Sequence, residues 1–260
     1  MRSLDPSQHE VFNVVSEWAE KQVQWRRVAR RQSLTAPPPA LRLLLLGTAG
    51  TGKTHTAKAF ITKARLTLGS FASVSTMAFS GVAAANLGDG ASTIDSVFHT
   101  NAADASTDLS GEKLDELIEQ LRSVELLVID EISTVGAAQF EVMSRRLEQV
   151  GKALWRDRFQ DEPPEDLGGF GGIGVVCMGD FAQLPPVLSS LLLSGAPLQD
   201  AKNSGLRSLA LAGRQRFQSF QTVIRLRRIH RMQGADPYKD STMRLRDAAI
   251  TMDDYALWKE

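Results

Sequence analysis

Cysteine is almost missing from this chain, since Cys177 is the single thiol among 260 residues. One cysteine cannot form a disulfide within the chain, so a small fold held together by disulfides is excluded. Cys177 lies in an apolar run, which predicts a buried structural thiol in a protein from a reducing compartment.

An excess of charge of either sign is also missing, because 30 lysines and arginines balance 30 aspartates and glutamates. A strong global field is therefore excluded, and any nucleic acid would have to bind in local grooves. No apolar segment reaches the ~20 residues that a membrane-spanning helix needs, and the N-terminus lacks the apolar core of a signal peptide. We expect a soluble, intracellular protein with no membrane partner, in the nucleus or mitochondrion if the source is eukaryotic.

The N-terminal residues have the pattern of a capped helix. Asp5 can cap the first free amides, Pro6 suits the first helical position, and Gln8 stands three residues after the cap, as in a capping box. The apolar residues that follow have the spacing of one buried helical face: Val11, Val14, Val15 and Trp18. The proline-rich stretch 35–39 predicts the end of this helix and a linker.

Short apolar runs of strand type recur along the rest of the chain and alternate with helical patterns. They are Leu41–Leu46, Ala72–Phe79, Leu126–Ile129, Ile173–Met178 and Thr222–Leu226. Continuously apolar strands are typical of a parallel sheet that is buried on both faces. We therefore predict an α/β fold in which helices cover both faces of a parallel sheet.

A phosphate-binding loop follows the first apolar run directly. Its residues match the pattern GxxxxGKT: Gly47, Thr48, Ala49, Gly50, Thr51, Gly52, Lys53 and Thr54. The glycines let successive backbone amides turn toward a β-phosphate, and the start of the following helix adds a positive dipole. We expect Lys53 to neutralise β- and γ-phosphate oxygens and Thr54 to offer its hydroxyl to Mg²⁺. The preceding strand and following helix favour this interpretation over a chance match in a glycine-rich turn.

Two carboxylates end the apolar run at 126–129. Asp130 and Glu131 would emerge at the carboxyl edge of a buried strand, where parallel α/β sheets bind their ligands. Asp130 is predicted to hold Mg²⁺, directly or through water, and Glu131 to orient and deprotonate an attacking water. An ordinary helix cap is the alternative, and the upstream phosphate loop disfavours it.

A third polar group is predicted at the same edge. Gln183 ends the segment Asp180–Gln183, just past the run 173–178, so its amide could reach a γ-phosphate and sense its hydrolysis. Pro185 and Pro186 stiffen the loop that carries Gln183. A proline-rich turn without such a role is the alternative.

Seven segments, in this order, resemble those of the petite-integration-frequency (Pif) DNA helicases, a RecD-related family in superfamily one B. They are LDPSQHEVF (4–12), GTAGTGKT (47–54), FSGVAAANLG (79–88), TIDSVF (93–98), VIDEISTV (128–135), FGGIGVVCMGDFAQLPPV (170–187) and LRRIHR (226–231). GDFAQLPPV and FGGI are specific to that family, whereas phosphate loops occur in very many proteins. The resemblance implies a P-loop NTPase with a RecA-like fold.

The resemblance also implies an activity. Members of this family are ATP-dependent motors that move 5′ to 3′ on single-stranded DNA and unwind duplex, forked or structured DNA, in DNA repair, recombination and telomere maintenance. ATP and Mg²⁺ are the implied cofactors. Single-stranded DNA and forked duplex DNA are the implied partners.

Individual residues acquire roles from the same resemblance. Gln8 would read the adenine edge of ATP, instead of or in addition to its capping-box role. The positions with which the family grips DNA are occupied by Phe79, Ser80, Gly81, Asn86, Thr93 and Ser96. For each of these six, packing of a loop or helix on the core is the alternative. Arg231 would act as an arginine finger in cis, although its basic neighbours could instead form a solvated or phosphate-contacting face.

The chain departs from the family pattern in two places. Asp95 stands where the family usually has histidine, and its carboxylate would repel a DNA backbone. Only 29 of the 260 residues follow Arg231, whereas a second RecA-like domain needs on the order of 100.

We therefore expect three units. They are an N-terminal helix and linker (1–36), a RecA-like ATPase domain 1A (37–232) with surface insertions near 101–111 and 157–172, and a helical tail (233–260) that begins a missing second domain. The chain would then be a helicase motor, or its first half, completed by a second polypeptide or copy. The alternative is a truncated ATP-binding interaction module that does not unwind DNA by itself.

Overall fold

The computed structural model describes residues 4–29, 37–88, 90–100, 108–159, 162–164, 167–187, 189–193, 204–230, 237–246 and 249–259. Within these ranges the α-helices are α1 (Pro6–Ala29), α2 (Lys53–Leu68), α3 (Gly81–Leu87), α4 (Ile94–Phe98), α5 (Glu112–Leu121), α6 (Ala137–Phe159), α7 (Ser204–Phe217), α8 (Pro237–Arg246) and α9 (Met252–Leu257). The strands are β1 (Arg42–Gly47), β2 (Val74–Ala78), β3 (Ser92–Thr93), β4 (Leu126–Asp130), β5 (Gly174–Gly179) and β6 (Thr222–Leu226). Short 3-10 helices lie at Phe71–Ser73, Ile132–Thr134 and Phe170–Gly172.

The described strands form one parallel sheet in the order β3-β2-β4-β5-β1-β6. β1 lies between β5 and β6, and β4 lies on the other side of β5. Because all these strands run in the same direction, the loops that follow them share one edge of the sheet. The predicted α/β fold is confirmed, and each of the five predicted apolar runs overlaps a strand.

Successive side chains of the strands enter two different apolar cores, one on each face of the sheet. In β1, Leu44 packs with residues of α4 to α7, whereas Leu43 and Leu45 pack with residues of α1 and α2. In β5, Cys177 packs in the same core as Leu44, and Val176 packs in the same core as Leu43 and Leu45. This is the period of two of a pleated strand, and it shows that helices cover both faces.

Cys177 is completely buried in the core beneath α6, as predicted. Burial raises the pKa of its thiol, so the reactive thiolate is strongly disfavoured. Among the described helices, none combines the length and the apolar character needed to cross a bilayer.

Helix α1 begins with the predicted capping box. Asp5 Oδ1 accepts a hydrogen bond from the backbone N–H of Gln8 at 3.0 Å, and Gln8 Oε1 accepts one from the backbone N–H of Asp5 at 3.0 Å. The residues predicted to form the buried face lie in or against the core shared with α2: Val11, Val15 and Trp18, with Val14 half-buried. Helix α1 therefore contributes to the same apolar core as the sheet, while residues 30–36 lie outside the described residues.

Helices α6 and α7 cover the opposite face around a group of aromatic rings. The rings are Phe140, Phe170, Phe217 and Phe220, with centroids between 5.4 and 6.0 Å apart. The two helices approach closely where α7 has Gly213, since a Cβ there would lie 1.9 Å from the carbonyl oxygen of Ala137. Only glycine fits this contact without displacing backbone.

The structure describes both ends of the surface insertion predicted near 157–172. Helix α6 continues to Phe159, and Phe170 is completely buried in the core. The Arg42 guanidinium lies 4.7 Å from the centre of the Phe170 ring and donates to the carbonyls of Gly168 and Gly169 at 2.9 and 2.8 Å. The end of this segment is therefore part of the framework that supports β1.

The other predicted insertion, 101–111, is described only from residue 108. Leu109 is buried there, and its backbone N–H and carbonyl both bond the side chain of Gln149, at 3.1 and 2.8 Å. In the tail, α8 and α9 pack together through Arg244 and Asp254, whose Nε and Oδ2 lie 2.9 Å apart.

Candidate nucleotide-binding site

The loop between β1 and α2 has the backbone that an anion site requires. Gly50 and Gly52 have φ values of 82° and 84°, in the left-handed region that glycine adopts most readily. Thr51 braces the loop, since it is completely buried and its Oγ1 donates to the carbonyl of Thr48 at 2.8 Å. Helix α2 begins at Lys53, and no side chain of the described residues caps it, so its first N–H groups point to where a phosphate would bind.

The side chains of the loop offer further hydrogen-bonding groups. Lys53 Nζ donates to the carbonyl oxygen of Gly47 at 2.7 Å and lies 3.5 Å from that of Thr48. Phosphate oxygens would be stronger partners for this ammonium than neutral carbonyls. Thr48 Oγ1 is buried without a partner among the described residues, as expected of a polar atom that a ligand would satisfy. The loop therefore fits the triphosphate that its sequence predicts.

Asp130 and Glu131 stand at the end of β4. Asp130 is buried, and its Oδ1 accepts a hydrogen bond from the backbone N–H of Glu131 at 2.9 Å. Burial raises the pKa of Asp130, and so does the charge of Glu131, while that hydrogen bond and the charge of Lys53 oppose the rise. Glu131 has a φ of 53°, a left-handed conformation that is costly for a residue with a side chain.

The loop after β5 carries Gln183. The buried Asp180 organises this turn, because its Oδ1 accepts from the N–H of Ala182 at 3.2 Å and its Oδ2 lies 3.4 Å from Gln183 Nε2. The side chain of Gln183 is exposed, as are those of Leu184 and Val187. The turn thus presents Gln183 at the surface of the carboxyl edge.

The order of the strands brings these groups to one edge. β4, β5 and β1 are consecutive neighbours, so Asp130 and Glu131, Gln183 and the phosphate loop follow three adjacent strands. The sequence predicted each group at the end of a strand. The adjacency of the three strands comes from the fold.

Gln8 lies against the phosphate loop. It is 2% exposed, and its Nε2 donates to the carbonyl of Thr51 at 3.2 Å. A Cβ at Gly52 would lie only 2.6 Å from this nitrogen and would displace the Gln8 amide, and the φ of 84° at Gly52 also favours glycine. The capping-box role of Gln8 is confirmed, and contact with adenine stays a prediction.

His230 also belongs to this site. It lies in the segment LRRIHR (226–231), in which the family resemblance gave a role only to Arg231. β6 pairs with β1, so the chain leaves β6 beside the phosphate loop. The backbone N–H of His230 donates to the carbonyl of Gly50 at 2.8 Å, and its Nε2 lies 2.9 Å from Asp5 Oδ2. Arg231, the predicted arginine finger, is the next residue and lies outside the described residues.

The residues predicted to contact DNA follow β2 and β3, at the same edge of the sheet. Phe79, Ser80 and Gly81 follow β2, Asn86 lies on α3, and Thr93 and Ser96 lie at the junction of β3 and α4. Ser80 Oγ caps α3 and Thr93 Oγ1 caps α4, each accepting a backbone N–H at 3.2 Å. Gly81, Asn86 and Ser96 are exposed, whereas Phe79 packs partly against the core. Capping is therefore one role of Ser80 and Thr93, and DNA contact by all six stays a prediction.

Asp95 is engaged within the protein. Its Oδ1 accepts a hydrogen bond from Gln139 Nε2 at 3.0 Å and another from the hydroxyl of Thr100. Gln139 lies on α6, so this carboxylate ties α4 to α6. A structural role thus accounts for the residue that departs from the family pattern.

The sheet, with a phosphate loop after an interior strand and carboxylates after a nearby one, defines a P-loop α/β domain of the RecA-like type. The profile of the PIF1-like helicases matches residues 39–243. The chain therefore belongs to the PIF1-like helicase family.

Individual relatives agree with this assignment. The ATP-dependent DNA helicase Pif1 of Psychrobacter sp. (strain PRwf-1) is 35% identical over 150 residues, which are 56% of this chain and 20% of the relative. The crystal structure of Bacteroides Pif1 bound to single-stranded DNA has a TM-score of 0.58 at 21% identity and covers 99% of this chain and 49% of its own. Bacteroides sp Pif1 in complex with ADP-AlF4 has a TM-score of 0.60 at 20% identity, with 98% and 48% covered. The chain spans about a fifth of the length of the curated relatives it matches and about half of these solved helicases.

Proposed function

We propose that this chain is the ATP-hydrolysing motor domain of a DNA helicase. One observation carries the proposal: the phosphate loop, the Asp130–Glu131 pair and Gln183 follow three adjacent parallel strands and share one edge. This is where open α/β sheets bind nucleotides. Membership of the PIF1-like helicase family suggests what hydrolysis would drive, namely translocation on DNA and unwinding of the duplex.

Nucleotide binding is assigned to the phosphate loop and the carboxylate beside it. The backbone amides of residues 47–54 and the Lys53 ammonium would hold the phosphates of ATP. The Thr54 hydroxyl and the Asp130 carboxylate would hold Mg²⁺, which keeps much of its coordination for water and phosphate oxygens. The bound ion supplies positive charge near the β- and γ-phosphates.

Hydrolysis is assigned to three further side chains. Glu131 would orient the attacking water and accept its proton, because its carboxylate follows Asp130 directly at the sheet edge. Gln183 would sense the γ-phosphate from the neighbouring loop, and Arg231 would stabilise charge on the transferred phosphoryl group.

Single-stranded DNA is the proposed track. The segments after β2 and β3 stand at the same edge and expose Gly81, Asn86 and Ser96, which a DNA backbone could reach. The relative bound to single-stranded DNA supports this partner. The family resemblance supports movement from 5′ to 3′, action on forked duplex DNA, and service in repair, recombination and telomere maintenance.

Steady-state ATP hydrolysis by the purified chain, with and without single-stranded DNA, tests the proposal. We expect DNA-stimulated turnover in the wild type that is lost in Glu131→Gln and in Lys53→Ala. Glu131→Gln should still bind ATP, whereas Lys53→Ala should bind it weakly. Ordinary turnover by Lys53→Ala would overturn the site assignment. Tight ATP binding without turnover would favour the alternative, an ATP-binding module that needs a second polypeptide or copy.

A further inference from the structure

His230 joins three segments that are distant in the sequence: the start of α1, the phosphate loop and the chain leaving β6. Its backbone N–H bonds the Gly50 carbonyl at 2.8 Å, and its Nε2 reaches Asp5 Oδ2 at 2.9 Å across 225 positions. The side chain of Asp5 is 4% exposed and that of His230 is 34% exposed. The imidazole therefore covers the carboxylate on its outer side.

The neighbours of His230 determine which of its nitrogens carries a proton. Nε2 faces the Asp5 carboxylate, which can only accept, so we assign the proton to Nε2. Asp5 Oδ1 accepts from the Gln8 N–H at 3.0 Å and from the Ser7 hydroxyl at 2.7 Å. Burial acts to raise the pKa of Asp5, but the hydrogen bonds from Gln8, Ser7 and His230 outweigh it and lower that pKa. Both oxygens of an ionised Asp5 are thus held in place.

Asp5 in turn helps to fix the orientation of the Gln8 amide. Gln8 Oε1 accepts from the Asp5 N–H at 3.0 Å, and Nε2 donates to the Thr51 carbonyl at 3.2 Å. If the amide were flipped, its NH₂ group would face the backbone N–H of Asp5, and its oxygen would face the carbonyl oxygen of Thr51. His230 Nε2 also lies 3.4 Å from Gln8 Nε2, but because its proton is directed at Asp5 it cannot accept a hydrogen bond from the amide. One lone pair on Oε1 and one N–H on Nε2 therefore remain available in the orientation present.

Those two remaining groups distinguish the purines. Adenine offers an N6 amino donor beside the N7 acceptor, which an acceptor and a donor on one amide can bind together. Guanine offers two acceptors there, O6 and N7, so the amide oxygen would face an acceptor. The fixed orientation of Gln8 therefore favours ATP over GTP.

We propose that His230 is a specificity-determining positioning residue: through Asp5 it holds the Gln8 amide against the phosphate loop in the orientation that selects adenine. The inference rests on the proposed ATP site and deepens it. His230 acts through Asp5 and need not touch the nucleotide.

Displacement of a fluorescent ATP analogue by ATP or by GTP tests this on the full chain. His230→Ala should raise the Kd for ATP roughly fivefold to tenfold, the effect of one lost hydrogen bond, and leave the Kd for GTP unchanged. His230→Gln places an N–H donor at a similar reach and should restore most of the selectivity. His9→Ala, an exposed histidine on α1, is the matched control and should behave as wild type.

A second variant tests the route through Asp5. Asp5→Ser keeps a capping oxygen but removes Oδ2, so adding His230→Ala to it should change the ratio of ATP to GTP affinity little further. An unchanged ratio in His230→Ala would overturn the inference. Equal losses for ATP and GTP with a lower melting temperature would overturn it as well, since that is a purely structural effect. Wild-type chain that fails to hydrolyse ATP challenges the proposed function separately, because displacement measures binding alone.

Discussion

Two residues of the candidate site occupy positions that cost the fold stability. Asp130 is buried with a raised pKa, so its ionised form is disfavoured there. Glu131 has a left-handed backbone at φ 53°, which costs roughly 1–2 kcal/mol for a residue other than glycine. Such unfavourable charges and conformations concentrate at functional sites, where chemistry requires them. Substitutions of Asp130 and Glu131 should therefore affect stability and activity differently.

Asp130→Asn should make the protein more stable and much less active. The Asn oxygen can still accept the Glu131 N–H, and the buried charge is removed. Burial raises the pKa of Asp130 in the folded state above its ordinary value of 3.8. At pH values above the folded pKa the ionised carboxylate therefore lowers the free energy of unfolding, whereas below pH 3.8 the group is protonated in both states and this cost disappears. Turnover should fall roughly 100-fold or more through loss of Mg²⁺.

Thermal melts and ATP hydrolysis measure both effects. The melting temperature of Asp130→Asn should exceed that of wild type at pH 7, and the two should converge as the pH falls through the window between the folded and the ordinary pKa. A stability difference that is constant with pH would show that the buried charge is not its cause.

Among the elements, most strands follow from uninterrupted apolar runs, as in β4, where every residue is buried. β3 escaped prediction because it has two half-buried residues and hence no periodicity. Phe170 escaped because Gly168, Gly169, Gly171 and Gly172 surround it and resemble a surface loop. Its burial depends on close approach of α6, which no local pattern encodes.

The same contrast holds within the candidate site. The phosphate loop was predictable because its action depends on the backbone of eight consecutive residues. His230 was not, because its partners Asp5 and Gly50 are brought to it by the pairing of β6 with β1. Contacts of that kind are decided by strand order and leave no trace in local spacing.

Gly213→Ala tests the close contact between α7 and α6. The new Cβ would lie 1.9 Å from the Ala137 carbonyl, so the helices must separate, at a cost of about 1–3 kcal/mol in the free energy of unfolding. Gly81→Ala is the control, because it also lies in a helix and a Cβ there would meet no atom of the described residues within 4 Å. Urea denaturation measures both. Equal stability of the two variants would mean that α7 can shift without loss.

For the molecule as a whole, the two cores share the strands between them, so neither face can lose its packing alone. Val15 lies in the core of α1 and α2, and Val150 in the core of α6, and both are fully buried. Truncating either to alanine should lower the free energy of unfolding by about 2 kcal/mol. Both variants should retain one cooperative transition, seen alike by tryptophan fluorescence and circular dichroism.

Val28→Ala serves as the control, since this residue is on α1 but 43% exposed and should change stability by less than about 0.5 kcal/mol. A second transition in the Val15 variant alone would show that α1 and its core unfold independently of the rest.

The position of β1 also has a consequence for synthesis of the chain on the ribosome. Leu43 pairs in register with Val176 of β5 and Thr222 of β6, the last two described strands to be made. At ~5–20 residues per second, on the order of ten seconds pass before the first of these partners is translated. During that time the four consecutive leucines 43–46 of β1 have no β5 or β6 to pair with. The nascent chain is therefore most prone to aggregation before its sheet can close around β1, and chaperones that cover this strand should raise the yield of folded protein.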